Sequence, residues 1–214
     1  MLKVWGRRNS SNVQKVLWLV GELGLEHEHI PAGGPHGRLN DPEFRRLNPF
    51  GLVPAIDDDG VAVWESHAIL RYLAERHGGM RFWPDVTTRA RIDPWMDWHQ
   101  SAFQPAFMGG LFWGYFRTPE PQRNWPAIRQ ATANCARLLE FVDAQLAERS
   151  FLGGDDLTLA DIPLGSAMYR YLTLDLARPE LPNLLRWYDR LTRRPAYREH
   201  IMRPFDDLRG RLAF

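Results

Sequence analysis

The periodicity of the apolar residues changes once, between Gly79 and Asp85, and this break constrains the fold of the 214-residue chain more than any other feature. Upstream of it, strand and helix signals alternate. Leu2 to Trp5 reads as a short apolar strand. After the polar loop Gly6 to Asn12, Val13, Val16, Leu17, Val20 and Leu23 recur at helical spacing, with Gly24 as the stop. His27 to Ile30 reads as a second strand, followed by a Gly/Pro-rich loop from Pro31 to Gly37. Asp41 to Leu47 predicts a short helix. Val53 to Ile56 and Val61 to Trp64 flank Asp57-Asp58-Asp59-Gly60, a hairpin signal. Ser66 to Arg76 predicts a helix with Ile69, Tyr72 and Leu73 on one face and Gly78 as its stop. The order βαβ, helix, ββ, helix describes a small α/β sheet domain. Downstream, from Thr87 on, only helical periodicity is found, most clearly in Ile128, Cys135, Leu138, Leu139, Val142 and Leu146. The expectation is an α/β domain over residues 1–79 and an all-helical domain over residues 85–214, linked through Gly78 to Pro84.

Composition excludes several classes of function. A single cysteine, Cys135, rules out a disulfide within the chain, a thiolate metal cluster and a Cys-x-x-Cys redox pair. Its place on an apolar helical stripe reads as a buried structural thiol. The 27 basic and 26 acidic residues leave a net charge of +1, so nothing global draws the chain to a polyanion. The Arg-Arg pairs at 7–8, 45–46 and 193–194 are scattered without interleaved aromatics, so no nucleic-acid partner is expected. Only Lys3 and Lys15 are lysines, all other basic residues being arginine; codon usage and carboxylate recognition are the two readings of that bias. The opening Met-Leu-Lys-Val-Trp-Gly-Arg-Arg has no apolar core of signal-peptide length, and no uncharged apolar run of about 18 residues occurs. A cytoplasmic protein without a membrane partner is expected. Glu26-His27-Glu28-His29 reads as a solvated strand face with no third ligand at a useful spacing, so no metal is expected.

Three features of the first domain point to one place. The loop Gly6 to Asn12 leads into a helix N-terminus, whose free N–H groups and dipole lower a thiol's pKa. Ser10, Ser11 and Asn12 there serve either as helix caps or as donors to a thiolate. Val53-Pro54 opens a predicted strand, where proline marks either a cis peptide that turns the Val53 backbone toward a ligand or a strand that starts later. Glu65 and Ser66, where a strand ends and a helix begins, set a carboxylate and a hydroxyl beside free N–H groups. They form either a plain cap or a seat for a zwitterionic amino acid.

With these residues the chain resembles the cytosolic glutathione S-transferases over nearly its whole length, in particular the bacterial serine- or asparagine-type, theta- or Nu-like members. Asn48-Pro49-Phe50-Gly51-Leu52-Val53-Pro54 is similar to the family's cis-proline motif, and Glu65-Ser66 to its Glu-Ser motif. Leu157-Thr158-Leu159-Ala160-Asp161-Ile162 resembles its N-capping box and staple, with Thr158 as cap, Asp161 at the third helical position and Leu157 on Ile162. Pro163 is expected to distort the second turn of that helix.

The resemblance implies a thioredoxin-like N-terminal domain, an all-helical C-terminal domain, a homodimer, and glutathione as co-substrate. It implies that Ser10 or Asn12 stabilises the glutathione thiolate and that Ser11, Leu52, Val53 and Pro54 contact the tripeptide. Glu65 and Ser66 then hold its γ-glutamyl end, His36 and Arg38 approach its glycine carboxylate, and Asp97 reaches across the dimer to the γ-glutamyl ammonium. Trp95, Phe103, Phe107, Phe112 and Trp113 are expected in part to line an apolar pocket for a small hydrophobic electrophile, with a kink or loop at Met108-Gly109-Gly110. The implied activity is transfer to glutathione in detoxification. Glutathione-dependent disulfide reduction or peroxide reduction, and a non-catalytic binding role, stand as the alternatives.

Overall fold

A computed structural model describes residues 1–212, so positions 213 and 214 of the expected helical domain lie outside the described residues. The described chain divides into two units, residues 1–89 with 195–203, and residues 90–194 with 204–212.

The first unit is built on a four-stranded sheet of order β2-β1-β3-β4, comprising β1 (Leu2–Trp5), β2 (His27–Ile30), β3 (Ala55–Asp58) and β4 (Val61–Trp64). β1 runs parallel to β2 and antiparallel to β3, and β3 pairs antiparallel with β4. Helix α1 (Ser11–Leu23) ends at Gly24, whose φ of 64° fits the left-handed closing position predicted for it. The alternation of strand side chains sorts residues between the two faces. Trp5 and its cross-strand partner Ala55 pack with Phe44 of α2 (Pro42–Leu47) on one face, the Trp5 and Phe44 rings lying 5.8 Å apart. Helices α1 and α3 (Ser66–His77) pack against each other and carry most of the buried aliphatic residues of this unit. The short helix α9 (Pro195–His200) closes over α1, with Tyr197 edge-on to the fully buried Trp18 at 4.8 Å.

Five sequence expectations are corrected. The third strand begins at Ala55 and not at Val53, because Pro54 has no N–H to give to a ladder. The buried face of α3 carries Ile69, Leu70, Leu73 and Ala74. Tyr72 lies at its edge, where its hydroxyl donates to Asp58 Oδ2 at 3.0 Å. Met108-Gly109-Gly110 forms no loop. Helix α5 (Val86–Trp98) passes into π-helical turns at His99–Phe103 and Pro105–Arg117 that run through both glycines. Pro105, the first residue of the second of these stretches, lacks the N–H that a regular α-turn uses there. Helix α7 (Asp161–Thr173) starts at Asp161, which is its first residue and not its third, so Pro163 falls in the first turn, where its missing N–H is an orphan in any case, and no hydrogen bond is lost.

The second unit is otherwise as its periodicity predicts. Helix α6 (Trp125–Gln145) buries Ile128, Cys135, Leu139 and Val142, and burial pushes the Cys135 thiol up to about 12. At the start of α7, Thr158 Oγ1 accepts from Ala160 N–H at 3.2 Å and Asp161 Oδ2 accepts from Thr158 N–H at 3.0 Å. Asp161 Oδ1 also accepts from Leu152 N–H at 2.8 Å and from Trp187 Nε1 of α8 (Pro182–Thr192) at 2.9 Å. Asp161 therefore ties a loop, a helix start and a second helix through one buried side chain. Its burial outweighs these donors and raises its pKa to about 6.

Asp161→Ala strands at least two buried donors, and urea denaturation should show a loss of about 3–5 kcal/mol. The carboxyl binds its proton more tightly in the folded chain. The wild-type protein's advantage from this group should thus be fullest below about pH 4 and fall as pH rises through about 6.

Candidate active site

The loop that follows β1 owes its path to Gly6. Its φ of 148° and a Cβ position only 2.4 Å from Val13 leave no room for a side chain. Gly6 N–H donates to Ile30 O at 3.0 Å and its carbonyl lies 2.8 Å from His29 Nε2, so the loop is clamped to β2. That contact employs one of the two strand histidines locally. The chain then enters α1 with Ser10 at the N-cap. The Ser10 carbonyl accepts from Gln14 N–H at 2.9 Å, yet its side chain makes no capping hydrogen bond. The capping alternative for the Ser10 hydroxyl is thus not realised.

The Val53-Pro54 peptide is cis. Ladder pairing stops at Trp5 with Ala55, which leaves the Val53 backbone outside the sheet. The turn before it is held by Asn48, a buried residue whose Nδ2 donates to Leu52 O at 2.8 Å and whose Oδ1 accepts from Phe50 N–H at 3.0 Å. The sequence presents Asn48 only as part of a motif; its role as the brace of the Val53 turn is visible in the contacts.

Glu65 stands at the N-cap of α3 with φ 69°, a left-handed backbone that a non-glycine residue seldom adopts. Its side chain makes no capping hydrogen bond, and its carbonyl accepts from Ile69 N–H at 2.9 Å. Such conformations concentrate at functional sites, where the surrounding structure enforces them. Ser66 is the buried first residue of α3. Two helix N-termini, α1 and α3, therefore present cap residues whose side chains make no capping hydrogen bond, from one packed pair of helices.

A buried lysine joins these two helix starts. Lys15 Nζ donates to Asn12 Oδ1 at 3.0 Å and lies 3.3 Å from His67 Nε2. Burial lowers the Lys15 pKa to about 7, with the Glu65 carboxylate acting in the opposite direction. Burial first, then Lys15 and Arg71, drives His67 to about 2, so its ring is neutral and one of its nitrogens is an acceptor. Sequence reasoning missed Lys15 and His67. The available signal was a lysine inside an apolar helical stripe, in a chain whose basic residues are otherwise arginine with the single exception of Lys3.

The remaining expected residues are dispersed. Ser11 and Asn12 lie in the first turn of α1, both half-buried. His36 ends a short 3₁₀ turn and is exposed. Arg38, also exposed, has φ 69° and lies over the Trp5 ring at 5.6 Å. Leu52 is exposed and Pro54 buried. In the second unit, Asp97 is exposed on the last turn of α5. Phe103, Phe107 and Phe112 are fully buried in a column of rings 5.7 and 6.0 Å apart, which makes them core. Trp95 and Trp113 are partly exposed, Trp113 beneath the Arg117 guanidinium at 3.8 Å. A cavity of about 240 Å³ in this unit is walled by Tyr115, Phe116, Tyr169 and Phe205, and none of those five expected aromatics lines it. Among the described residues no group of three metal-ligating side chains occurs, and no helix is long and apolar enough to cross a membrane.

Residues 9–76 match the profile of the glutathione S-transferase N-terminal domain and residues 99–195 that of the C-terminal domain. The chain is 41% identical over 207 residues to glutathione S-transferase GstB of Escherichia coli, covering 95% of this chain and 99% of that one. It is 29% identical to glutathione S-transferase 3 of Zea mays, covering 94% and 93%. Among solved structures it is similar to a theta class glutathione S-transferase of Xanthomonas axonopodis pv. citri with glutathione bound, at 43% identity and a TM-score of 0.89, covering 95% and 98%.

The buried lysine has a thermodynamic signature. Its folded pKa lies below the unfolded value, so between about 7 and 10.5 the unfolded chain binds the extra proton. Relative to Lys15→Met, the wild-type chain should gain unfolding free energy as pH rises through that window, by at most about 1.4 kcal/mol per unit. Urea titrations of both proteins across the window measure it.

Proposed function

The chain belongs to the glutathione S-transferase family, and on that premise we propose that it is a homodimeric, cytoplasmic transferase that binds glutathione in its first unit and activates its thiol. The thiolate then attacks a small hydrophobic electrophile, forming the carbon–sulfur bond as the electrophile's leaving group or π-electron pair departs. A free thiol has a pKa near 8.5, so only a few per cent is thiolate at neutral pH. The Ser10 hydroxyl donates to the sulfur, assisted by the Asn12 amide and the α1 N-terminus, which together supply roughly one to two units of lowering.

The observation that carries this reading is the pair of helix starts whose cap side chains, Ser10 and Glu65, make no capping hydrogen bond. Glutathione has two carboxylates, an ammonium and a thiol, and this donor set fits it. In the proposal, Ser66 and the α3 N–H groups take the γ-glutamyl carboxylate and Glu65 takes the ammonium. The Val53 backbone, outside the ladder, pairs with the cysteinyl unit, between Leu52 and Pro54 and near Ser11. His36 and Arg38 serve the glycine carboxylate, and Asp97 of a second copy adds to the ammonium site. For the electrophile, Trp95 and Trp113 are the expected aromatics that retain accessible surface. The dimer reading draws support from Phe50 and Leu52, which are 65% and 60% exposed, beside Trp64, whose ring lies 5.2 Å from that of Phe50. Such a cluster is characteristic of an interface.

Ser10→Ala should lower kcat/KM for conjugation about 10- to 100-fold, the worth of a hydrogen bond to a charged group, with Asn12→Ala less severe and the double variant worst. If both single variants and the double variant conjugate and reduce disulfides at the wild-type rate, the assignment is wrong. Glu65→Gln should raise the KM for glutathione about tenfold with kcat little changed, since it removes binding energy present before and during the reaction.

A further inference from the structure

Lys15 has no role in the site as assigned above, yet it holds one of its residues, Asn12. An ammonium has three donors and no acceptor, so the Asn12 atom 3.0 Å from Lys15 Nζ is the amide oxygen, and the NH₂ end is turned away. His67 Nε2, 3.3 Å from the same nitrogen, fixes the ammonium from the opposite helix. We propose that Lys15 is a positioning residue for thiolate stabilisation: anchored on His67, it locks the Asn12 carbonyl inward, so that the Asn12 NH₂ is presented at the head of α1 as a donor to the glutathione sulfur. This inference rests on the reading of Ser10 and Asn12 given above.

Two physical effects follow from the lock. An asparagine amide has a broad, two-fold torsional profile, and only one of its two ends attracts a thiolate. Fixing the oxygen on a buried ammonium removes the repulsive orientation. Donation from Lys15 also polarises the amide, and in a hydrogen-bond chain each link strengthens the next, so the NH₂ becomes a better donor. The ammonium suits the position. It is compact enough for a fully buried space, where a planar guanidinium fork needs more room. Glu65 and Arg71 also bear on the pair, and His67 is held neutral.

The test reads the pKa of the bound thiol from the ultraviolet absorbance of the thiolate at saturating glutathione. The proteins are wild type, Lys15→Met, Asn12→Ala, the double variant and Asn12→Asp. Lys15→Met should raise the bound thiol by about half to one unit, and kcat/KM near neutral pH should fall about three- to tenfold. In the Asn12→Ala background the same change should add nothing, because the effect travels through Asn12. Asn12→Asp keeps an oxygen toward Lys15 and removes the NH₂, so it should raise the thiol at least as far as Asn12→Ala. A wild-type chain that binds no glutathione, or leaves the thiol at its solution value, overturns the underlying reading and this inference with it. A wild-type chain that lowers the thiol overturns the inference alone if Lys15→Met does so equally, or if the Lys15→Met effect persists in full without Asn12. Should Lys15→Met fail to fold, Asn12→Asp decides: a thiol lowered as in the wild type overturns the inference.

Discussion

A buried ammonium between two helix starts is the constraint on which the first unit's site depends. Lys15 takes its partners from α1 and from α3, so the two N-termini are held in register by one nitrogen. Burying an ion costs several kcal/mol unless the environment compensates. Here the compensation includes Asn12, His67 and the Glu65 carboxylate, and the pKa is drawn down to about 7. A purely apolar contact at this point would pack two helices as well. It would not orient Asn12, and it would give up the charge that lies behind the first turn of α1.

The surrounding features leave further polar groups outside the regular hydrogen-bond ladders of this unit. Gly6 lets the loop pass against Val13, Asn48 braces the turn before the cis Val53-Pro54 peptide, and Glu65 is held with a left-handed backbone. Each presents polar groups that secondary structure would otherwise consume: a serine hydroxyl, a strand-like backbone outside the ladder, and a carboxylate at a helix start. The helical unit solves a different problem. Asp161 gathers donors from a loop and from α8, and a column of aromatic rings is buried in the same unit.

The order of the elements and the break between two kinds of periodicity were legible in the sequence, because strand and helix patterns follow from side-chain alternation over a few residues. Gly24 as a stop, the Thr158–Asp161 box and Cys135 as a buried thiol were legible for the same local reason. The starts and turns were less so. Proline chemistry moved the third strand to Ala55, and Pro163 fell in the first turn of α7, where its missing N–H costs nothing, while Gly109-Gly110 was absorbed into π-helical turns. These outcomes depend on which hydrogen bonds the neighbouring segments leave available.

The sequence by itself determined the family, through Val53-Pro54, Glu65-Ser66 and Leu157 to Ile162 taken in order, and with it the residue types a glutathione site requires. Only the tertiary structure decided which of those residues have free side chains. Ser10 and Glu65 look like ordinary caps in the sequence, and whether a cap bond forms is a matter of rotamer and backbone geometry. It alone revealed Lys15 and His67, 52 positions apart, as partners. A buried polar contact is selected by what desolvates both groups together, and no local pattern along a chain records that.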